Sequence, residues 1–164
     1  MKKLSILQFI TVLCLFSFAY AAENAPKYGL AKDNPIFAQK IVNNLMHQYP
    51  ELVTAGIHST APNTTNQKII ASTLNVIGKP SDPPDIDVGV HGATSLEPST
   101  KVPKIGVMLP LKDSHGKRIG ALALAFHYTD GENQVQFLQK ATQIRDSVAK
   151  QIDNLNSLYE NAGK

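Results

Sequence analysis

The residues able to do chemistry are few and scattered. Five histidines occur: His47, His58, His91, His115 and His127. No two have the i, i+4 spacing that sets paired imidazoles on one helix face, and none stands in a zinc or haem-ligation motif. His47 falls late in a helical pattern, where a cation suits the dipole, and His115 at a turn tip. Both read as structural or solvated. His58 ends a β-rich stretch beside Ser59 and Thr60, and His91 precedes Gly92 and Thr94 in an irregular segment. These two could converge on a pocket; the simpler reading is two surface histidines. Ser, His and Asp are all present, but no G-x-S-x-G elbow frames a nucleophile. Asp82, Asp85 and Asp87 could do acid–base or calcium work, yet their spacing fails the EF-hand pattern and suits a solvated acidic loop. Arg118 opens an apolar stretch and could hold a carboxylate bidentately, unless it is an exposed hairpin residue. Lys104 stands in the same way before the preceding stretch. No catalytic residue, metal ligand or cofactor is assigned.

Cys14 is the lone cysteine, and it lies in what reads as an export signal. Met1-Lys2-Lys3 is a basic start, Leu4 to Tyr20 is uncharged and mostly apolar, and Ala19-Tyr20-Ala21 is an A-x-A cleavage site. The apolar run is short for a bilayer span, which needs roughly 20 residues. Val12-Leu13 before Cys14 do not suit lipidation. The expectation is a signal peptide over 1–22, of bacterial type, delivering the protein to the periplasm or outside the cell. The remaining chain then has no cysteine, which excludes disulfides, zinc–thiolate sites and a cysteine nucleophile. About 140 residues suffice for one domain with a real core. Removing Lys2 and Lys3 leaves fourteen basic against thirteen acidic residues, a balance of +1 and no polybasic surface for nucleic acid. No second long apolar run exists, so no membrane span is expected after cleavage.

The elements that must position these residues follow from periodicity. Residues 23–33 are a polar, flexible arm, and 34–160 read as a single domain. Asp33 or Asn34 is the expected N-cap of a helix of about 15 residues, with Phe37, Ile41 and Leu45 on one face and Pro50 after it. Leu52–Thr60 and Gln67–Leu74 read as a hairpin across the turn cluster 62–66. Gly78 to Pro103 is proline-dense and irregular, with Ile86–Val90 as a short strand or a helical turn; a loop of this length inside a domain is usually functional or mobile. Lys104–Leu111 and Arg118–Phe126 form a second hairpin around a glycine turn. Gly106, Gly120, Ala121, Ala123 and Ala125 imply that something packs close against it. Thr129 and Glu132 read as a capping box for a long helix with Val135, Leu138, Ala141, Ile144, Val148 and Ile152 inward, running to about Leu158. Its far end, Leu155 to Tyr159, is placed to protrude and dimerise. Helices around an antiparallel sheet make the class α+β.

The hairpin from Leu109 to Leu122, with Pro110, Asp113, Gly116 and Ile119-Gly120, resembles the last hairpin of Cache-type domains, the extracytoplasmic PAS-like sensors of bacterial receptors. The resemblance covers most of the chain in element order but is specific only in the hairpin. It implies a PAS/Cache-like antiparallel sheet bracketed by an N-terminal helix and a long C-terminal helix. The long anchored first helix and the output module of receptors are not seen in this sequence. The implied function is therefore an exported, free-standing, non-enzymatic module that binds a small-molecule metabolite and feeds a separate receptor or transporter partner. On that reading His58, Thr60, His91, Thr94 and Arg118 are the candidate ligand-binding residues. The alternative is an envelope protein–protein interaction module that forms a homodimer through its C-terminal helix.

Overall fold

The computed structural model describes residues 33–163. The expected signal peptide and nearly all of the expected arm lie outside these residues. An α+β fold results: helix α1 (Phe37–Gln48), strands β1 (Leu52–Thr60) and β2 (Gln67–Ser72), a short helix α2 (Pro83–Ile86) running into a π-helical turn (Asp87–His91), strands β3 (Ser95–Pro98), β4 (Lys104–Lys112) and β5 (Arg118–His127), helix α3 (Gln134–Ala149), and a 3-10 turn (Asn156–Tyr159). The five strands form one antiparallel sheet in the order β2-β1-β5-β4-β3. The two hairpins thus meet through β1 and β5 at the centre.

Side chains alternate across a strand, so the sheet has two unlike faces. One face carries Ala55 and Ile57 of β1, Ile105, Val107 and Leu109 of β4, and Leu122, Leu124 and Phe126 of β5, all buried. Helix α1 packs over β1 and β2, and α3 over β4 and β5. Ile41, Val42 and Leu45 from α1 and Ala141, Ile144 and Val148 from α3 join the strand residues in a single core. The opposite face carries smaller residues. Its rows, read from the register, are Thr54–Ala125–Gly106, Gly56–Ala123–Met108 and His58–Ala121–Pro110. The π-helical turn packs onto β4 and β5 from this side.

Several expectations are corrected. Helix α1 begins at Phe37, and Ile36 rather than Asp33 or Asn34 precedes it without a side-chain cap. The Asn34 amide donates instead to the Ile70 carbonyl, at 2.7 Å. The end of the chain takes over the start of the helix: Phe37 N–H donates to the Glu160 carbonyl and Ala162 N–H to the Pro35 carbonyl, both at 2.7 Å. Strand β2 stops at Ser72. Of the two readings left open for Ile86–Val90, the helical turn is the one found, started by Asp82 and Pro83. Ser95–Pro98, read as loop, is an edge strand paired to β4.

Helix α3 is capped by Asn133, whose side chain accepts from Val135 N–H at 3.0 Å. Thr129 and Glu132 close a local turn ahead of it, and Val135 is 56% exposed rather than inward. The helix ends at Ala149. Asn154 then accepts from the backbone of Asn156 and Ser157, a side-chain bond that competes with helix continuation. The segment expected to protrude folds back toward α1, and Leu158 is fully buried.

Candidate functional site

The small-residue face of the sheet is the floor of a cavity of about 390 Å³. Thr54, Gly56 and His58 line it from β1, Gly106 and Met108 from β4, and Ala123 and Ala125 from β5. Ile69, Ser72, Leu74 and Val76 form one wall. Asp82, Pro84, Asp85, Ser95 and Glu97 come from the segment between β2 and β4. Small side chains in the middle of the sheet make this hollow: the same strands present Leu and Ile to the other face.

His58 is the enclosed titratable residue of the groove, 5% exposed. A buried chain of hydrogen bonds fixes it. Gln67 Nε2 donates to the Ser81 hydroxyl at 3.2 Å and to the Asp85 carbonyl at 3.0 Å, using both amide protons. Ser81 Oγ lies 2.9 Å from His58 Nδ1. The hydroxyl, which can accept twice and donate once, bonds Nδ1 as donor or acceptor according to the imidazole tautomer. Nε2 has no hydrogen-bond partner among the described residues and is not sealed from solvent. Burial pushes the pKa of His58 below its ordinary value, against the opposing pull of the Asp85 carboxylate. A neutral imidazole is the state this environment favours.

The network also pins the roof of the groove to the sheet. Gln67 belongs to β2, whereas Ser81 and Asp85 belong to the proline-rich segment. Gly89 of the π-helical turn rests on the Gln67 amide so closely that a Cβ there would lie 2.0 Å from Oε1. The expected solvated acidic loop divides in two. Asp82 and Asp87 are exposed, but Asp85 is half-buried, its Oδ2 3.5 Å from His58 Nδ1. Ser81, His58 and Asp85 do not make a hydrolytic relay. Such a relay needs nucleophile and orienting acid on opposite ring nitrogens, and here both approach Nδ1.

The five sequence-derived site residues are not brought together. His58 alone lines this groove. Thr60 and Arg118 line a second cavity of about 660 Å³ at the far end of the sheet, with Gln67, Val90 and Lys112. Arg118 Nη2 donates to the Val90 carbonyl at 2.5 Å. His91 and Thr94 are exposed and line neither cavity, so His58 and His91 do not converge. His47, His115 and His127 are exposed as well. Ser81, Gln67 and Asp85 were missed as partners of His58, since their separations of 23, 9 and 27 in sequence carry no periodic signal. The small-residue pattern of β5 was the one clue to the groove. Among the described residues no three His, Cys, Asp or Glu side chains are grouped to hold a metal, and no helix is long and apolar enough to cross a membrane. The chain matches no protein-family model and no curated protein significantly.

Proposed function

We propose that this protein is an exported, PAS/Cache-like, non-enzymatic module that captures a small metabolite in the groove over the small-residue face of its sheet. The observation that carries this reading is the groove itself: an apolar floor, a roof tied down by a buried polar network, and one enclosed imidazole whose Nε2 has no partner among the described residues. Concave, largely apolar sites with a few placed polar groups are how proteins hold small molecules. The antiparallel sheet with a hairpin at each half, and the Asp113–Gly116 turn whose aspartate accepts from the His115 and Lys117 amides, support the PAS-like resemblance. Export rests on residues 1–22, and coupling to a receptor or transporter rests on the resemblance alone. Dimerisation through the C-terminal helix has less support, because Leu158 is buried in its own core.

A thermal-shift screen of the purified protein against amines, amino acids, organic acids, purines and haem tests the reading, since a ligand that binds only the folded state raises its melting temperature. Gly106→Val should abolish any shift by filling the floor. The position accepts a side chain, as a Cβ there meets nothing closer than the Glu97 carbonyl at 3.7 Å. A screen without a single Gly106-dependent shift would remove the proposal.

A further inference from the structure

The charges around the two cavities have opposite signs. Among the described residues the groove is lined by the carboxylates of Asp82, Asp85 and Glu97 and by no lysine or arginine, Lys79 reaching Asp82 from outside the lining. The second cavity is lined by Lys112 and Arg118 and, among the described residues, by no carboxylate. The whole chain carries a formal charge of +3, so a negative groove is a local feature and not a reflection of composition.

Asp85 is the most telling of the three. Its side chain is 25% exposed. The nitrogens nearest its Oδ2 are the Asp82 amide at 3.4 Å and His58 Nδ1 at 3.5 Å. Both contacts are long, and no shorter one reaches this carboxylate among the described residues. A half-buried carboxylate so poorly supplied with donors is stabilised by a cation. Asp82, in contrast, already pairs with Lys79 at 2.9 Å, and Glu97 accepts from Ser95 Oγ at 2.8 Å. The enclosed His58, whose Nε2 has no partner among the described residues, stands beside Asp85 as a polar contact for a second atom of the same ligand.

We infer that the groove selects an organic cation: an ammonium group held at Asp85, with Glu97 at the open edge, and an apolar body lying on Met108, Ala123 and the Ile69–Val76 wall. A bare metal ion does not fit, because among the described residues no three carboxylate or imidazole groups are clustered. This inference rests on the groove being a ligand site.

Matched probes differing only in charge test it by calorimetric titration: benzylamine, benzyl alcohol and benzoate, and the hexyl series of amine, alcohol and carboxylate. The amines should bind at least about tenfold more tightly than their uncharged matches, and the carboxylates least. Asp85→Asn should remove most of that preference. Glu97→Gln, a change at an exposed edge strand, should weaken amine binding without touching the fold. Lys112→Ala, in the other cavity, should leave it unchanged. Amines binding no better than the alcohols, or an amine preference that survives both carboxylate changes, overturns the inference. Carboxylates that bind best and are blocked by Gly106→Val would overturn the cation class while leaving the groove as the ligand site. If no probe and no compound of the wider screen binds, both fall.

Discussion

His58 is the residue on which the account turns, and its environment makes two predictions. Burial holds its folded-state pKa below the ordinary value of 6.5. The unfolded chain therefore takes up a proton as pH falls through that value, while the folded chain does not until a lower pH. The unfolded state binds more protons in that interval, so stability present above 6.5 is lost as pH falls toward the folded pKa. Urea midpoints should decline as pH falls through 6.5, and His58→Gln should flatten that part of the profile. Glu51 does not confuse the result: its pKa is lowered from 4.5, chiefly by the hydrogen bond from Lys140, and its contribution is lost only below that. Ser81→Ala leaves a buried ring nitrogen without its partner. It should cost about 1–3 kcal/mol in urea unfolding, whereas the same change at the exposed Ser114 should cost almost nothing. In the sequence His58 was identifiable as a candidate because it closes a β-rich run beside two hydroxyl residues. Its partners were not, since they reach it from another strand and from a proline-rich segment. Thr60 and Arg118 were rightly read as near the sheet, but the strand carries them to the other end of it.

At the scale of elements, close approach of backbone decides where change is tolerated. A Cβ on Gly120 would lie 2.1 Å from the His58 carbonyl oxygen, between two central strands that cannot part. Gly120→Ala should cost about 3 kcal/mol and lower the melting temperature sharply. Gly89→Ala meets the end of a side chain, Gln67, which can swing away by giving up its two bonds. It should cost less, about 1–3 kcal/mol, and should show first as faster proteolysis of the 78–98 roof. The two hairpins were readable because β-rich runs bounded by turn residues, Pro62-Asn63 in one and Gly116 in the other, are local signals. Strand β3 was not: Ser95-Leu96-Glu97-Pro98 has no pattern of its own and becomes a strand only by pairing with β4, with Pro98 tolerated at a sheet edge. The end of α3 was overextended for the opposite reason. Ile152, Leu155 and Leu158 keep a near-helical spacing, but Asn154 and Ser157 satisfy the backbone locally and turn the chain back.

For the whole molecule, the α+β class and the antiparallel sheet were legible from element order, whereas the division of labour between its faces was only hinted at. The strands put large aliphatic groups toward α1 and α3 and glycine, alanine and methionine toward the groove. One face is therefore a packed core and the other a site, and substitutions should separate them. Leu122→Ala on the helix side should cost about 2–5 kcal/mol of stability, while Gly106→Val on the groove side should spare stability and remove binding. The most direct measurement is the pattern of amide chemical-shift changes in the isotopically labelled protein on saturation with a ligand found by the thermal screen. The groove reading predicts that the largest changes fall on Thr54, Gly56, His58, Gly106, Met108 and Ala123. Changes confined to Thr60, Lys112 and Arg118, or to the helical face, would contradict it.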